Sequence, residues 1–385
     1  MLEDFIYLDN NATTAVSDEV MEKILPFFQK NYGNPSSEIH AFGWSAKAAV
    51  EKARKQVAES IGSEYNEIYF TSGATESINL ALKGIVERYK NIGNHIITVK
   101  TEHKAVLDVC HSLEEKKLAD VTYLSVDENG QISLEELKKS VSNKTILVCV
   151  MLANNETGVI QDIKAISEIC REKNILLMSD TTQAIGKIPV NVNELGIDIA
   201  CISAHKIYGP KGVGAIYLRR KKPRVSILPL IEGGGQEKNI RSGTLNSTGI
   251  VGLGEACFQA NQNIEIYRTH TQQLKNLFIK KLEEANIGFF QNFEKNENHL
   301  SNTLSCGFKG IKAKELLKKC PQLAFSLGSA CSSNSNEISH VLAACHLSKE
   351  KIESSFRISF GKNNTEEEVL KANEILLEAV FKLKD

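Results

Sequence analysis

From about residue 65 to 218 the chain alternates short β-rich runs with helical stretches, and this narrows its possible folds more than any other feature. The runs are EIYFT (67–71), HIITV (95–99), VTYLSV (121–126), TILVCVM (145–151), NILLMSD (174–180), IDIACIS (197–203) and VGAIYL (213–218). Helical stretches fall near 75–90, 103–117 and 162–173, with SLEELKKSV between the third and fourth runs. The runs are rich in apolar residues, as strands covered on both faces are. This predicts a mostly parallel sheet packed between helices. Right-handed crossovers then gather the strand C-terminal ends on one edge, where ligands bind in such sheets.

A chain of 385 residues exceeds the roughly 250–300 at which a single core stops growing, so two domains are expected. The boundaries read from the pattern are 15–255 for a large domain and 256–385 for a small one, joined by the segment 1–14. Residues 220–247 break the alternation with three consecutive glycines, two prolines and no period, which reads as a functional loop. A helical stretch from about 248 to 287 is expected to bridge the domains. TLSCGF, a helix near 312–320, LAFSL, a helical segment near 336–345, SSFRISF and a terminal helix over 365–384 then form a smaller α/β unit.

Basic and acidic residues number 46 and 47, a net charge of -1, which gives no support for a nucleic-acid or membrane partner held by general electrostatics. No apolar run reaches the ~18–20 residues that span a bilayer. The opening MLEDFIYLDNNATT is acidic and unlike a signal peptide, so a cytoplasmic protein is expected. Nine cysteines without a CxxC fit neither a zinc site nor a disulfide framework. Most sit in apolar or helical runs, where free cysteine acts as a small hydrophobe. Cys331, flanked by small polar residues in GSACSS, needs a separate explanation.

Polar groups cluster where the strands end. Lys206 in SAHKIYGPKG follows IDIACIS, and a lysine there is placed to form a Schiff base. Pyridoxal phosphate requires that linkage, a phosphate cradle and a carboxylate on its ring nitrogen. Asp180, closing NILLMSD, could supply the carboxylate. In TSGATES (71–77), Gly73 and the amides of Ala74 and Thr75 would open a helix towards an anion. His103 follows HIITV and could stack on a ring and carry protons. Asn154, Asn155 and Gln183 offer hydrogen bonds. Taken singly, each has an ordinary reading: a solvated lysine, a plain N-cap, a histidine at a helix start, a turn asparagine. That strand ends, taken in order, each carry a group that one cofactor needs makes coincidence a poor explanation.

With these residues in view, the chain resembles a cysteine desulfurase of the NifS/IscS type, within the fold-type I pyridoxal-phosphate enzymes. The resemblance runs through YLDNNATT (7–14), YGNPSSEIH (32–40), FTSGATES (70–77), KTEHKAVLD (100–108), NNETG (154–158), SAHKIYGPKG (203–212), GGGQEKNIRSGT (233–244), GSACSS (328–333) and RISFG (357–361). GSACSS discriminates most, because transaminases on this fold have no use for a cysteine there. The chain departs from the pattern at Thr181 and Thr182, where small residues are usual, and at Leu327, where serine is.

The resemblance implies roles for individual residues. Lys206 becomes the Schiff-base lysine and Asp180 the partner of the ring nitrogen. Ala74, Thr75, Ser203 and His205 would bind phosphate, with Thr244 reaching it from the other subunit of a homodimer. Asn155 and Gln183 would contact the ring hydroxyl side, His103 would stack on the ring, and Arg357, helped by Asn155, would hold the substrate carboxylate. Cys331 would take sulfur from L-cysteine as a persulfide and leave L-alanine. The persulfide would pass to protein acceptors such as an iron–sulfur scaffold or a tRNA-thiolation sulfur carrier. Selenocysteine lyase and aminotransferase chemistry on the same fold are the alternatives.

Overall fold

The computed structural model of the chain describes residues 5–293, 298–327 and 338–384. Its seven-stranded sheet uses all seven predicted runs. In chain order the strands are Ile68–Thr71, His95–Val99, Asp120–Leu124, Thr145–Cys149, Leu176–Asp180, Ile199–Ser203 and Gly214–Leu218. Across the sheet they run first, seventh, sixth, fifth, fourth, second, third. Gly214–Leu218 is antiparallel to both its neighbours, and all other pairings are parallel. The order reverses between His95–Val99 and its neighbours, which leaves a crevice at the strand C-terminal edge.

Strand residues feed two separate cores, one on each face. Val148, Leu177, Ala200 and Ala215 pack with Val50, Val57, Ile166 and Leu253 from helices on one side. Cys149, Met178, Cys201 and Ile216 pack with Ile78, Leu82, Val106 and Val109 on the other. Neighbouring residues of one strand point to opposite faces, and both faces are covered, so the strands read as unbroken apolar runs.

A third core joins Phe278 and Leu282 to Leu304, Phe308, Phe356, Ile358 and Leu376 around the antiparallel strands Phe289–Gln291, Thr303–Phe308 and Ser355–Ser359. The expected bridge over 248–287 is two helices, Ser247–Gln262 and Ile264–Glu284, separated at Asn263. The first buries Ile250, Leu253 and Cys257 in the sheet core, and the second buries Leu274 and Phe278 in the third. LAFSL contributes the two-residue strand Leu323–Ala324, which pairs in parallel with Ile6–Tyr7, and an isolated antiparallel bridge from Ser326 to Arg357. From there the N-terminal segment crosses to the large sheet. Asp9 bridges to Ser359, and Thr14 N–H donates to His205 O at 2.9 Å.

Loop 220–247 is tied down by a buried carboxylate. Glu237 accepts from Arg54 Nη2 at 2.7 Å, from Arg54 Nη1 at 2.9 Å and from the Phe70 amide at 2.8 Å. Phe70 lies on the strand at one end of the sheet order, so Glu237 caps an edge N–H that no strand can reach.

Candidate active site

The strand C-terminal edge opens into a cavity of about 550 Å³. Its lining includes Ala74, Thr75, His103, Asn155, Asp180, Gln183, Ser203, His205, Lys206 and Arg357. Residues separated by up to 283 positions (74 to 357) therefore share one chamber. Thr244 is exposed and outside this lining. Cys331 lies outside the described residues.

The floor of the chamber is a helix start. Helix Ala74–Tyr89 begins after Gly73, whose φ of 152° favours glycine and whose lack of a side chain leaves the N-terminus uncapped. A Cβ on Gly214 would stand 2.6 Å from Gly73 Cα, so the two backbones pass too closely for any other residue there. The first amides of a helix have no intrahelical acceptor and carry partial positive charge. Ser203, His205, Lys206 and Lys211 line the same cavity. Burial pushes the His205 imidazole down to about 4, aided by the charges of Lys206 and Lys211, so it is neutral. This end of the chamber can hold a dianion.

Lys206 sits in the single turn after Ile199–Ser203. Its Nζ donates to the carbonyls of Asn11 and Ala12, both at 2.6 Å. Asp180 ends the adjacent strand, 6 % exposed, with Oδ1 accepting the Thr182 amide at 2.9 Å. An amine and a buried carboxylate thus face one chamber from neighbouring strands.

His103 precedes helix Lys104–Glu115, and its Nδ1 accepts the Ala105 amide at 3.1 Å. Burial lowers its pKa, with Lys206 acting in the same direction and Asp180 against it. A neutral ring whose Nδ1 is an acceptor carries its proton on Nε2. Asn154 is consumed by its turn: Nδ2 donates to Thr101 O, and Oδ1 accepts the amides of Glu156 and Thr157. Asn155 lines the chamber instead.

Arg357 is 2 % exposed. Nη2 donates to Asp9 Oδ1 at 2.5 Å and Nη1 to Asn155 O at 2.8 Å, while its Nε has no partner among the described residues. The guanidinium is therefore already paired with one carboxylate and one carbonyl. Asp9 was absent from the predicted site, although YLDNNATT contains it. Asn11 is the second omission: it accepts from Lys206 and Gln183 on its carbonyl and donates to Asn155 O. The eight described cysteines are all buried. Burial drives their thiols upward, to about 12 for Cys110, Cys170, Cys257 and Cys345, which leaves them unreactive.

Comparison with known proteins gives the family. Residues 6–371 match the aminotransferase class-V family. The chain is 48% identical over 380 residues to cysteine desulfurase IscS of Neisseria meningitidis serogroup A / serotype 4A, covering 99% of this chain and 93% of that protein. Among solved structures, a NifS-like protein superposes with a TM-score of 0.90 at 40% identity, covering 99% of each chain. SspA in complex with cysteine gives 0.81 at 35% identity, over 93% of this chain and 99% of that one. The chain belongs to the aminotransferase class-V family and, within it, to the NifS/IscS type.

Proposed function

We propose that the chain is a pyridoxal-phosphate-dependent cysteine desulfurase that converts L-cysteine to L-alanine and holds the sulfur as a persulfide on Cys331. The observation that carries this is the single chamber shared by Lys206, Asp180, an uncapped helix N-terminus and Arg357. The relatives named cysteine desulfurase, and the related structure solved with cysteine, support the same substrate.

The residues fit the cofactor. The amides of Ala74 and Thr75, with Ser203 and His205, would hold its phosphate. Asp180 would meet the ring nitrogen, Gln183 and Asn155 the ring hydroxyl side, His103 one ring face, and Lys206 the covalent link. When bound, the cofactor supplies an electron sink for charge developing at the substrate Cα.

Arg357 receives the substrate carboxylate, sharing its fork with Asp9 and Asn155. Lys206 Nζ, held between two carbonyls beside the chamber, takes the Cα proton. The His103 Nε2–H can donate a hydrogen bond to a group in the chamber, while Nδ1 is occupied by the Ala105 amide, so the neutral ring serves to orient rather than to take the Cys331 proton. Cys331 as thiolate attacks the substrate sulfur. The S–S bond forms as the C–S bond breaks, and two protons return to carbon, giving L-alanine and Cys331–S–SH from L-cysteine and the thiol. The persulfide then serves protein acceptors, of which an iron–sulfur scaffold is one class. A homodimer with Thr244 completing the neighbour's phosphate site is part of the same proposal. Phe28, Ile39 and Trp44, exposed by 64, 90 and 57 %, give a second copy an apolar surface to cover.

The test is borohydride fixation followed by peptide mapping, and mass spectrometry of Cys331 after L-cysteine. Cofactor fixed on Lys206 and one added sulfur on Cys331 are expected. Label on another lysine, or a Cys331→Ala protein that releases sulfide normally, refutes the proposal.

A further inference from the structure

Lys187 is a fully buried lysine for which the proposed chemistry has no use. It is 3 % exposed and follows the turn after Gln183, in QAIGK. Its Nζ donates to Asn11 Oδ1 at 3.0 Å and to Gln183 Oε1. Two main-chain carbonyls decide why both partners are oxygens. Asn11 Nδ2 donates to Asn155 O at 3.2 Å, and Gln183 Nε2 donates to Asn11 O at 2.9 Å. A carbonyl can only accept, so each amide must turn its nitrogen that way and its oxygen towards Lys187. Burial holds the amine well below its ordinary range, with Lys206 and Arg357 adding to the effect. The amine thus presents an N–H to each of these oxygens.

The two amides depend on Lys187 unequally. Asn11 Oδ1 also accepts Asn302 Nδ2 at 3.0 Å, its Nδ2 also donates to Thr303 Oγ1 at 2.8 Å, and its amide is bonded to Ser359 Oγ at 2.9 Å. Gln183 Oε1 has Lys187 as its partner among the described residues. Gln183 lines the chamber, and the carbonyl it holds is the one that receives Lys206 Nζ.

We infer that Lys187 is a positioning residue: by capping Gln183 Oε1 it keeps the Gln183 amide nitrogen presented to the Asn11 carbonyl and to the cofactor chamber. Without that cap, Gln183 has a buried oxygen to satisfy and can turn either end of its amide to the chamber. The inference rests on the reading of this chamber as the cofactor site.

The test is cofactor retention by the holoprotein. Visible absorbance during equilibrium dialysis gives a dissociation constant, and thermal unfolding checks the fold. Lys187→Met keeps the length of the side chain, removes the donors and keeps water from reaching Gln183 out of the adjoining cavity of about 410 Å³. It should weaken cofactor binding about tenfold, as expected for the loss of one hydrogen bond. Gln183→Ala should weaken it similarly, and the double variant should be no weaker than Gln183→Ala alone. Losses that simply add, or unchanged binding in Lys187→Met, overturn the inference. If Lys187→Met does not fold, Lys187→Gln decides. Its amide N–H restores a donor, so near-parental retention is expected, and tenfold weaker retention in a protein that unfolds at the parental temperature overturns the idea. A parent that carries no cofactor on Lys206 would instead sink the proposed function, and this inference with it.

Discussion

Replacing Glu237 tests whether the long loop is held by one buried carboxylate. Its side chain is 1% exposed and that of Arg54 is 9%. Glu237→Ala removes both hydrogen bonds from Arg54 and the acceptor of the Phe70 amide. Arg54 would keep the Ile68 carbonyl at 2.8 Å, the outer Glu51 at 3.2 Å and its stacking on the Phe70 ring. Breaking a buried pair from one side costs about 3–5 kcal/mol, and these residual partners argue for the lower end, about 3 kcal/mol. At about 2.1 cal/mol/K per residue, unfolding a chain of 385 residues has an entropy near 0.8 kcal/mol/K, so Tm should fall by about 4 °C. Glu237→Gln keeps an oxygen for Phe70 and should lose less. Arg54→Met combined with Glu237→Gln leaves no unpaired buried charge, only the outer Glu51 losing its partner, and should recover part of the loss of Glu237→Ala. Calorimetry measures the three shifts, and trypsin cutting after Lys238 or Arg241 should quicken in the order of lost stability. A Glu237→Ala protein that melts within 1 °C of the parent and resists trypsin equally would refute the assignment.

Two further outcomes follow from the site. Arg357→Ala should lower kcat/KM for L-cysteine at least tenfold, from loss of about 1.5–3 kcal/mol of charge-assisted pairing. Adding Asp9→Asn should recover part of this by removing a stranded carboxylate, and unchanged kinetics in Arg357→Ala would refute its role. Thr244→Glu and Lys206→Ala should each be inactive, yet regain activity when mixed under subunit exchange, because one mixed site takes Lys206 and Thr244 from different chains. Verified exchange without recovery would refute the shared site.

What could be read in the sequence was whatever local pattern determines. NILLMSD and IDIACIS announce buried strands, and a polar residue ending such a run must sit at the sheet edge. That is why Asp180, His103 and Lys206 could be placed in one chamber before any coordinates. The break at Asn263 left no such trace. No glycine or proline marks it, and it arises because the two helices serve different cores. The charged groups buried by distant partners were equally hidden. Asp9 pairs with Arg357 across 348 positions and Arg54 with Glu237 across 183. By local composition Asp9, Arg54 and Glu237 are ordinary surface charges. Lys187 makes the same point from a shorter distance: Gln183 is four residues away, one helical turn, but such a pair is unremarkable on a solvated face. Only the return of Asn11 from the other end of the chain encloses the amine and turns it into a fixed donor beside the chamber. Asp180, His103 and Lys206 were therefore legible because the sheet edge positions them, whereas Arg357 and Cys331 were named only through the resemblance. Asn11 and Asp9, which hold Lys206 and Arg357 in place, were not legible because the N-terminal segment brings them in from the far end of the chain.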